Sequence, residues 1–245
     1  FMQKNKEYIL NNDPKINSYW LNRCTAINLN MMAVILKYPD SFSSMKEQLP
    51  DFYERKELFV EAVEMLSASE YVRTGFEHFA LPHDDVSKSL SKGKAYYNSF
   101  GATTGDCTSV LALGRSSYST IGEDLYYQNF YKQNEYQSFL EAGKIPLERG
   151  WILDKDTIIR REIIKNIRTY FELDKELINE KYKINFDKYF KEELKQLKSF
   201  FNDDLIFTEK SKIVTTESGK HFASLIGSNF DKFITGERFN KRINI

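Results

Sequence analysis

Cysteine is almost missing from this chain. There are two in 245 residues, Cys24 and Cys107, far apart. That excludes a disulfide framework and a CxxC metal or redox motif. Two buried, reduced thiols in a cytoplasmic protein are the expectation. Net charge is missing too, with 35 Lys+Arg against 35 Asp+Glu. Neither nucleic acid nor an anionic membrane is therefore expected as a partner. No apolar run approaches the ~18–20 residues of a membrane span. The first ten residues, FMQKNKEYIL, mix charge with apolar side chains and carry no cleavage site, so no secretory signal is expected.

Common catalytic signatures are absent as well. His78 and His83 straddle Pro82, and His221 has no companion on its predicted helix. HExxH and HxxxH spacings do not occur, and no metal site is expected. Gly114-Arg115-Ser116-Ser117-Tyr118 is not the Gly-x-Ser-x-Gly of a nucleophile elbow. There is no P-loop lysine, no GxGxxG, no internal repeat and no low-complexity segment. Catalytic residues stay unknown at this level.

What is present is core-forming material: 41% hydrophobic and 15% aromatic residues. The length suits one large domain or two small ones. Helical and strand-like patterns alternate over about the first 150 residues, which favours an α/β class. A helix is predicted from Asp13-Pro14 to about Asn22, and a strand-like start at Ala26. A strong amphipathic helix runs from Pro50-Asp51 to about Ser69, with Phe59, Val60, Val63 and Leu66 at helical spacing. Tyr71 to Phe79 alternates like a strand, and Asp84-Asp85 cap a helix to about Tyr97. Asn134 to Ala142 is a further helix. The stretch GDCTSVLALGRSSYSTIG, 105–122, holds an apolar run from Val110 to Leu113 that ends in Gly-x-Ser-Ser. It reads as a buried strand whose tip lets backbone approach a ligand closely.

Beyond Gly150 the pattern turns helical, so domains at 1–150 and 151–245 are expected. Predicted helices cover Asp154–Leu173, Leu177–Tyr182 and Phe186–Phe201. A hairpin joins Leu205–Phe207 to Ile213–Thr215, and a last helix runs from Thr216 to about Ile234. This is a winged-helix-like order, which raises DNA binding. The third helix, however, interleaves Lys188, Lys191, Lys195 and Lys198 with Asp187, Glu192 and Glu193, which favours a packing domain. Arg160-Arg161 reads either as a solvated pair or as a bidentate grip on substrate carboxylates.

Several segments, in order, resemble the C-terminal half of the oxygen-independent coproporphyrinogen III oxidases, which are radical SAM enzymes. They are Glu77-His78-Phe79-Ala80-x-Pro82, Thr103-Thr104 with Gly105-Asp106, and Leu113-Gly114-x-Ser116-Ser117-Tyr118-Ser119-x-Ile121-Gly122. Gln128-Asn129, Ile159-Arg160-Arg161-Glu162-Ile163-Ile164, Phe171-x-Leu173-Asp174, Val214-Thr215 before Gly219, and Phe230-Asp231 follow. The match covers about residues 13–245.

The resemblance implies a partial, incomplete TIM-like radical SAM barrel over 1–150 and a mainly helical cover domain over 151–245. It implies S-adenosylmethionine and a [4Fe–4S] cluster as cofactors and a tetrapyrrole as substrate. A radical formed from S-adenosylmethionine would take hydrogen from a propionate, and loss of carbon dioxide would leave a vinyl group, as in haem biosynthesis. Met32, Gly114 and Tyr118 fall at cofactor-binding positions, and Arg160 and Arg161 at candidate substrate contacts. Departures are the displaced Gly105-Asp106-Cys107, Ser109 in place of an aspartate, and Asn30-Met31-Met32 in place of Asn-Tyr-Ala. They bring in the alternatives of a haem or porphyrin chaperone, or of another radical SAM relative acting on haem. The cluster's Cys-x3-Cys-x2-Cys cannot be drawn from two cysteines. With Phe1 at its start, the chain is expected to be a fragment, inactive alone, whose partner is the missing N-terminal half. An apolar sheet edge is expected to be exposed where that half belongs.

Overall fold

The computed structural model describes residues 26–28, 52–98, 101–105 and 109–234. The expected helix at 13–22, Met32 and both cysteines lie outside them. Mixed α/β content is confirmed. The strands gather into small sheets, and every pairing among the described residues is antiparallel. The strand–helix–strand crossovers of a TIM-like barrel would give parallel neighbours. No closed barrel forms among the described residues.

The chain begins with β1 (Ala26–Asn28) and α1 (Phe52–Ser67). Strands β2 (Val72–Arg73) and β3 (His78–Ala80) replace the single strand predicted at 71–79. Order β1-β3-β2 makes one sheet, and Ala62, Val63 and Leu66 of α1 bury Phe79 against it. Helix α2 (Asp85–Ser91) is capped by Asp84, whose carboxylate accepts from the Val86 amide at 2.8 Å. It ends well before the predicted Tyr97, because Gly93 takes φ +67° and turns the chain into β4 (Tyr96–Asn98). β4 pairs with β5 (Gly101–Thr103).

A three-stranded meander follows: β6 (Tyr118–Ile121), β7 (Leu125–Asn129) and β8 (Leu147–Ile152), with α3 (Gln133–Glu141) between the last two. β8 is the outer strand, exposed along its whole length, with Leu147, Trp151 and Ile152 open to solvent. It is an exposed, partly apolar strand edge.

Helix α4 (Lys155–Tyr170) starts at Asp154, whose carboxylate accepts from the Thr157 amide at 2.7 Å. Ile159, Ile163 and Ile167 repeat every four residues and are buried. They open one continuous core with Leu173, Ile178, Phe186, Phe190, Leu197, Ile206, Ile213, Ile226 and Phe230. Around it stand β9 (Glu172–Asp174), α5 (Lys175–Tyr182), and the hairpin β10 (Ile206–Glu209) and β11 (Lys212–Thr215), in sheet order β10-β11-β9.

Two helix expectations are corrected. Predicted helix 186–201 is three short ones: α6 (Phe186–Tyr189), α7 (Lys191–Gln196) and α8 (Lys198–Asn202). The joints fall at Phe190 and Leu197, which are buried; the chain bends to insert them. The predicted final helix is a 3₁₀ turn (Gly219–Phe222) followed by α9 (Ala223–Ser228).

Candidate functional site

The buried strand expected at Val110–Leu113 does not form. Val110 makes one isolated bridge to Thr120. Leu111 and Leu113 are 68% and 84% exposed. The reason lies in where the loop's polar groups go. Asn129 on β7, almost fully buried, donates its amide to the Ala112 and Gly114 carbonyls at 3.2 and 2.9 Å. The adjacent Gln128 donates to the Ser116 carbonyl at 2.9 Å and accepts from Arg149 Nε at 2.7 Å. The Gly114 amide donates to the Tyr136 hydroxyl at 3.0 Å, and Ser119 Oγ accepts from the Ala112 amide at 3.0 Å. Side chains thus replace the strand partner.

The loop they hold has an unusual shape. Gly114 sits at φ +100°, which only glycine adopts readily, and Ser116 is left-handed at φ +55°. A Cβ placed on Gly114 would meet Ser117 Oγ at 3.4 Å and is otherwise in open space. Glycine is required there for its backbone, and the open side is available to a ligand. Immediately after the loop Tyr118 opens β6, 52% exposed. It is not a core aromatic. Ser109 Oγ accepts from the Gly122 amide at 2.9 Å, closing the far side of the turn.

The register places further side chains beside Tyr118. Tyr118 pairs with Gln128 and Thr120 with Tyr126; Arg149 pairs with Gln128 and Trp151 with Tyr126. All six lie on one face of the meander. Helix α4 closes on that face: Arg161 donates to the Tyr126 hydroxyl at 3.0 Å, its guanidinium 5.8 Å from the ring centroid. Candidate residues Tyr118 and Arg161 are therefore brought to one face of the meander, while Gly114 is tied to Asn129 and Tyr136 in the loop just before it. Arg160 faces elsewhere. It donates to Asp156, to Glu193 at 2.7 Å and to the Phe230 carbonyl at 3.1 Å, and it lies over Phe190. Its place is a tie within the C-terminal core.

A second cluster surrounds His78 of the Glu77-His78-Phe79-Ala80 segment. The ring is buried and meets Tyr97 edge-on at 5.7 Å. Tyr97 donates to Glu77 at 3.1 Å and accepts from Arg168 at 3.1 Å. Burial pushes the Tyr97 phenol up to about 12, and burial pushes the His78 imidazole below its ordinary value. Tyr97 carries no sequence signal beyond sitting in a short aromatic strand.

Comparison with known proteins bears on this arrangement. No family model matches the chain. The oxygen-independent coproporphyrinogen III oxidase of Pseudomonas aeruginosa is 33% identical over 200 residues, which is 80% of this chain and 43% of that protein. The enzyme of the same name from Escherichia coli is 29% identical over 227 residues, 90% of this chain and 50% of that protein. A solved structure of coproporphyrinogen III oxidase from Escherichia coli, described as a radical SAM enzyme, superposes with a TM-score of 0.69 at 33% identity. It covers 76% of this chain and 43% of that one. The chain is a homologue of the oxygen-independent coproporphyrinogen III oxidases. It spans about half the length, or somewhat less, of these relatives.

For a coproporphyrinogen oxidase homologue, the cofactors implied are S-adenosylmethionine and a [4Fe–4S] cluster. The two fare differently on the residues present. Three thiolates on one loop hold such a cluster and leave its fourth iron open. This chain has two cysteines, and among the described residues no group of three His, Cys, Asp or Glu is placed to hold a metal. The cluster does not fit the residues of this chain. The adenosyl cofactor does fit what is described: a glycine with an open side, loop backbone locked by two buried amides, and a half-exposed tyrosine. Among the described residues no helix is long and apolar enough to cross a membrane.

Proposed function

We propose that this chain supplies part of the wall and the cover of a coproporphyrinogen-oxidase-like radical SAM active site, for oxidative decarboxylation of tetrapyrrole propionates. The observation that carries the reading is the Gln128–Asn129 clamp, which holds Gly114–Ser117 in one shape directly before Tyr118. A rigid, glycine-containing loop lets backbone meet the adenosine and methionyl portions of S-adenosylmethionine, and Tyr118 packs on it. Met32 is the second proposed contact. The cofactor supplies the hydrogen-abstracting chemistry when bound. The chain's own residues position and exclude water. Residues 1–150 form the flank of the incomplete barrel and 151–245 the winged-helix-like cover, with the cluster anchor supplied from outside this chain. With two cysteines the chain alone has no activity.

Calorimetric titration with S-adenosylmethionine tests this. The wild-type chain binds saturably, and Tyr118→Ala weakens binding about tenfold, the factor equal to ~1.4 kcal/mol. Absence of binding to the wild type overturns the reading. The cluster misfit favours a second reading, a haem or porphyrin carrier related to the same enzymes. Tight porphyrin binding without any response to S-adenosylmethionine selects it.

A further inference from the structure

Three cations recur along one side of α4 at steps of four and three: Arg161, Lys165 and Arg168. Each lies over a tyrosine. Arg161 faces Tyr126, Lys165 Nζ is 4.0 Å from the Tyr96 ring centroid, and Arg168 is 4.6 Å from that of Tyr97. Arg168 is committed to the fold through the Tyr97 hydroxyl. The other two are different. Lys175, Lys181, Lys212 and Lys232 all have carboxylate partners within 3 Å. Arg161 and Lys165 have no ion pair among the described residues. The nearest acid on their own helix, Glu162, is held by Lys181 at 2.6 Å and by the Tyr182 hydroxyl. Glu123 lies on the other flank and is exposed. Burial lowers the Lys165 ammonium below its ordinary value. Glu162 and Glu123 favour the Lys165 charge without pairing with it directly, burial outweighs them, and an arriving oxyanion relieves what is left.

The surroundings say what kind of oxyanion. Tyr126 shares its sheet face with Trp151 and Arg149, so flat aromatic surfaces and cations alternate from β8 to α4. Rings offer stacking to a flat ligand; the guanidinium offers paired donors to a carboxylate at its rim. We infer that Arg161 and Lys165 are the carboxylate grip for a planar, polycarboxylated ring ligand lying against Tyr126 and Tyr96. The inference rests on the tetrapyrrole reading above and assigns the residues that hold the propionates.

The test is a fluorescence titration of the full chain with coproporphyrin, and in parallel calorimetry with citrate, which has carboxylates and no ring. Arg161→Gln and Lys165→Gln each raise the coproporphyrin Kd about tenfold, and Lys212→Gln leaves it unchanged. Unaltered coproporphyrin binding in both α4 variants overturns the grip and leaves the tetrapyrrole reading standing. Citrate binding that the variants abolish, with no coproporphyrin binding, keeps an oxyanion site and overturns the tetrapyrrole reading. If the wild type binds neither anion, the grip is overturned. Acylation of Lys165 read by mass spectrometry needs no variant: coproporphyrin slows modification of Lys165 and spares Lys212.

Discussion

Gly101 shows how much one hydrogen atom in place of a side chain decides. It sits at φ +108°, and a Cβ there would lie 2.2 Å from His78 Nε2. The buried imidazole fills the space that any other residue would claim. Gly101→Ala is expected to cost about 3 kcal/mol in urea unfolding, from overpacking and backbone strain together. Adding His78→Ala should recover the overpacking share and leave the strain. Buried His78 and half-buried His221 also set an acid limit. Burial lowers the folded-state values of His78 and His221 below 6.5. For His78, nearby Glu77 works against this and Arg168 with it. The unfolded chain then binds the extra protons, so stability holds above pH ~6.5 and falls as pH drops below it. Thermal melts across pH 7.5 to 5 should show this slope, and His78→Gln should flatten it.

Among the elements, the β7 amides and Arg160 act on different parts. Asn129→Ala removes two hydrogen bonds and leaves the Ala112 and Gly114 carbonyls without their partner, a loss of about 1–3 kcal/mol. Amide exchange at Ser116 and Ser117 should rise before exchange in α4 does. Arg160→Met breaks the tie from α4 to Glu193 of α7 and to the chain after α9. Removing one partner of a half-buried pair is expected to cost about 2–4 kcal/mol by urea unfolding, with cofactor affinity unchanged. These elements were unequally legible. Helix α4 was visible because Ile159, Ile163 and Ile167 repeat at four and Asp154 caps it. The meander was not: in LERGWI an edge strand exposed on both faces has no buried side to write into sequence, and in YSTI and LYYQN the buried positions run consecutively, Ser119–Thr120 and Tyr127–Asn129, rather than alternating. Nor did the breaks at Phe190 and Leu197 announce themselves, since neither Gly nor Pro marks them. The glycine-serine loop is legible as a loop tip, but its approach is not: Leu111 and Leu113 look like core in one dimension, and only the long-range Asn129 bonds show otherwise.

At the scale of the whole molecule, the C-terminal core is fastened to the earlier sheets by a few polar contacts. Tyr170 donates to the Ala95 carbonyl at 2.8 Å, the Phe76 amide to the Arg168 carbonyl at 2.7 Å, and Arg73 to the Lys220 carbonyl at 3.3 Å. Tyr97, between Glu77 and Arg168, belongs to the same seam. Its phenol moves from 10.0 up to about 12 in the folded chain. The unfolded phenol ionises first, so this contribution is intact below pH 10 and is lost as pH rises from 10 toward 12. Tyr97→Phe should remove that alkaline slope in denaturant titrations, and should separate unfolding into two steps if the seam is what couples the cores.

The outer strand of the meander has an optical consequence. Trp151 is 57% exposed, with Phe233 against its edge at 5.5 Å. An indole in water emits at long wavelength, and one under a protein surface emits toward the blue. Whatever comes to rest on β8 will shift its colour, so the chain carries a built-in dye on that strand.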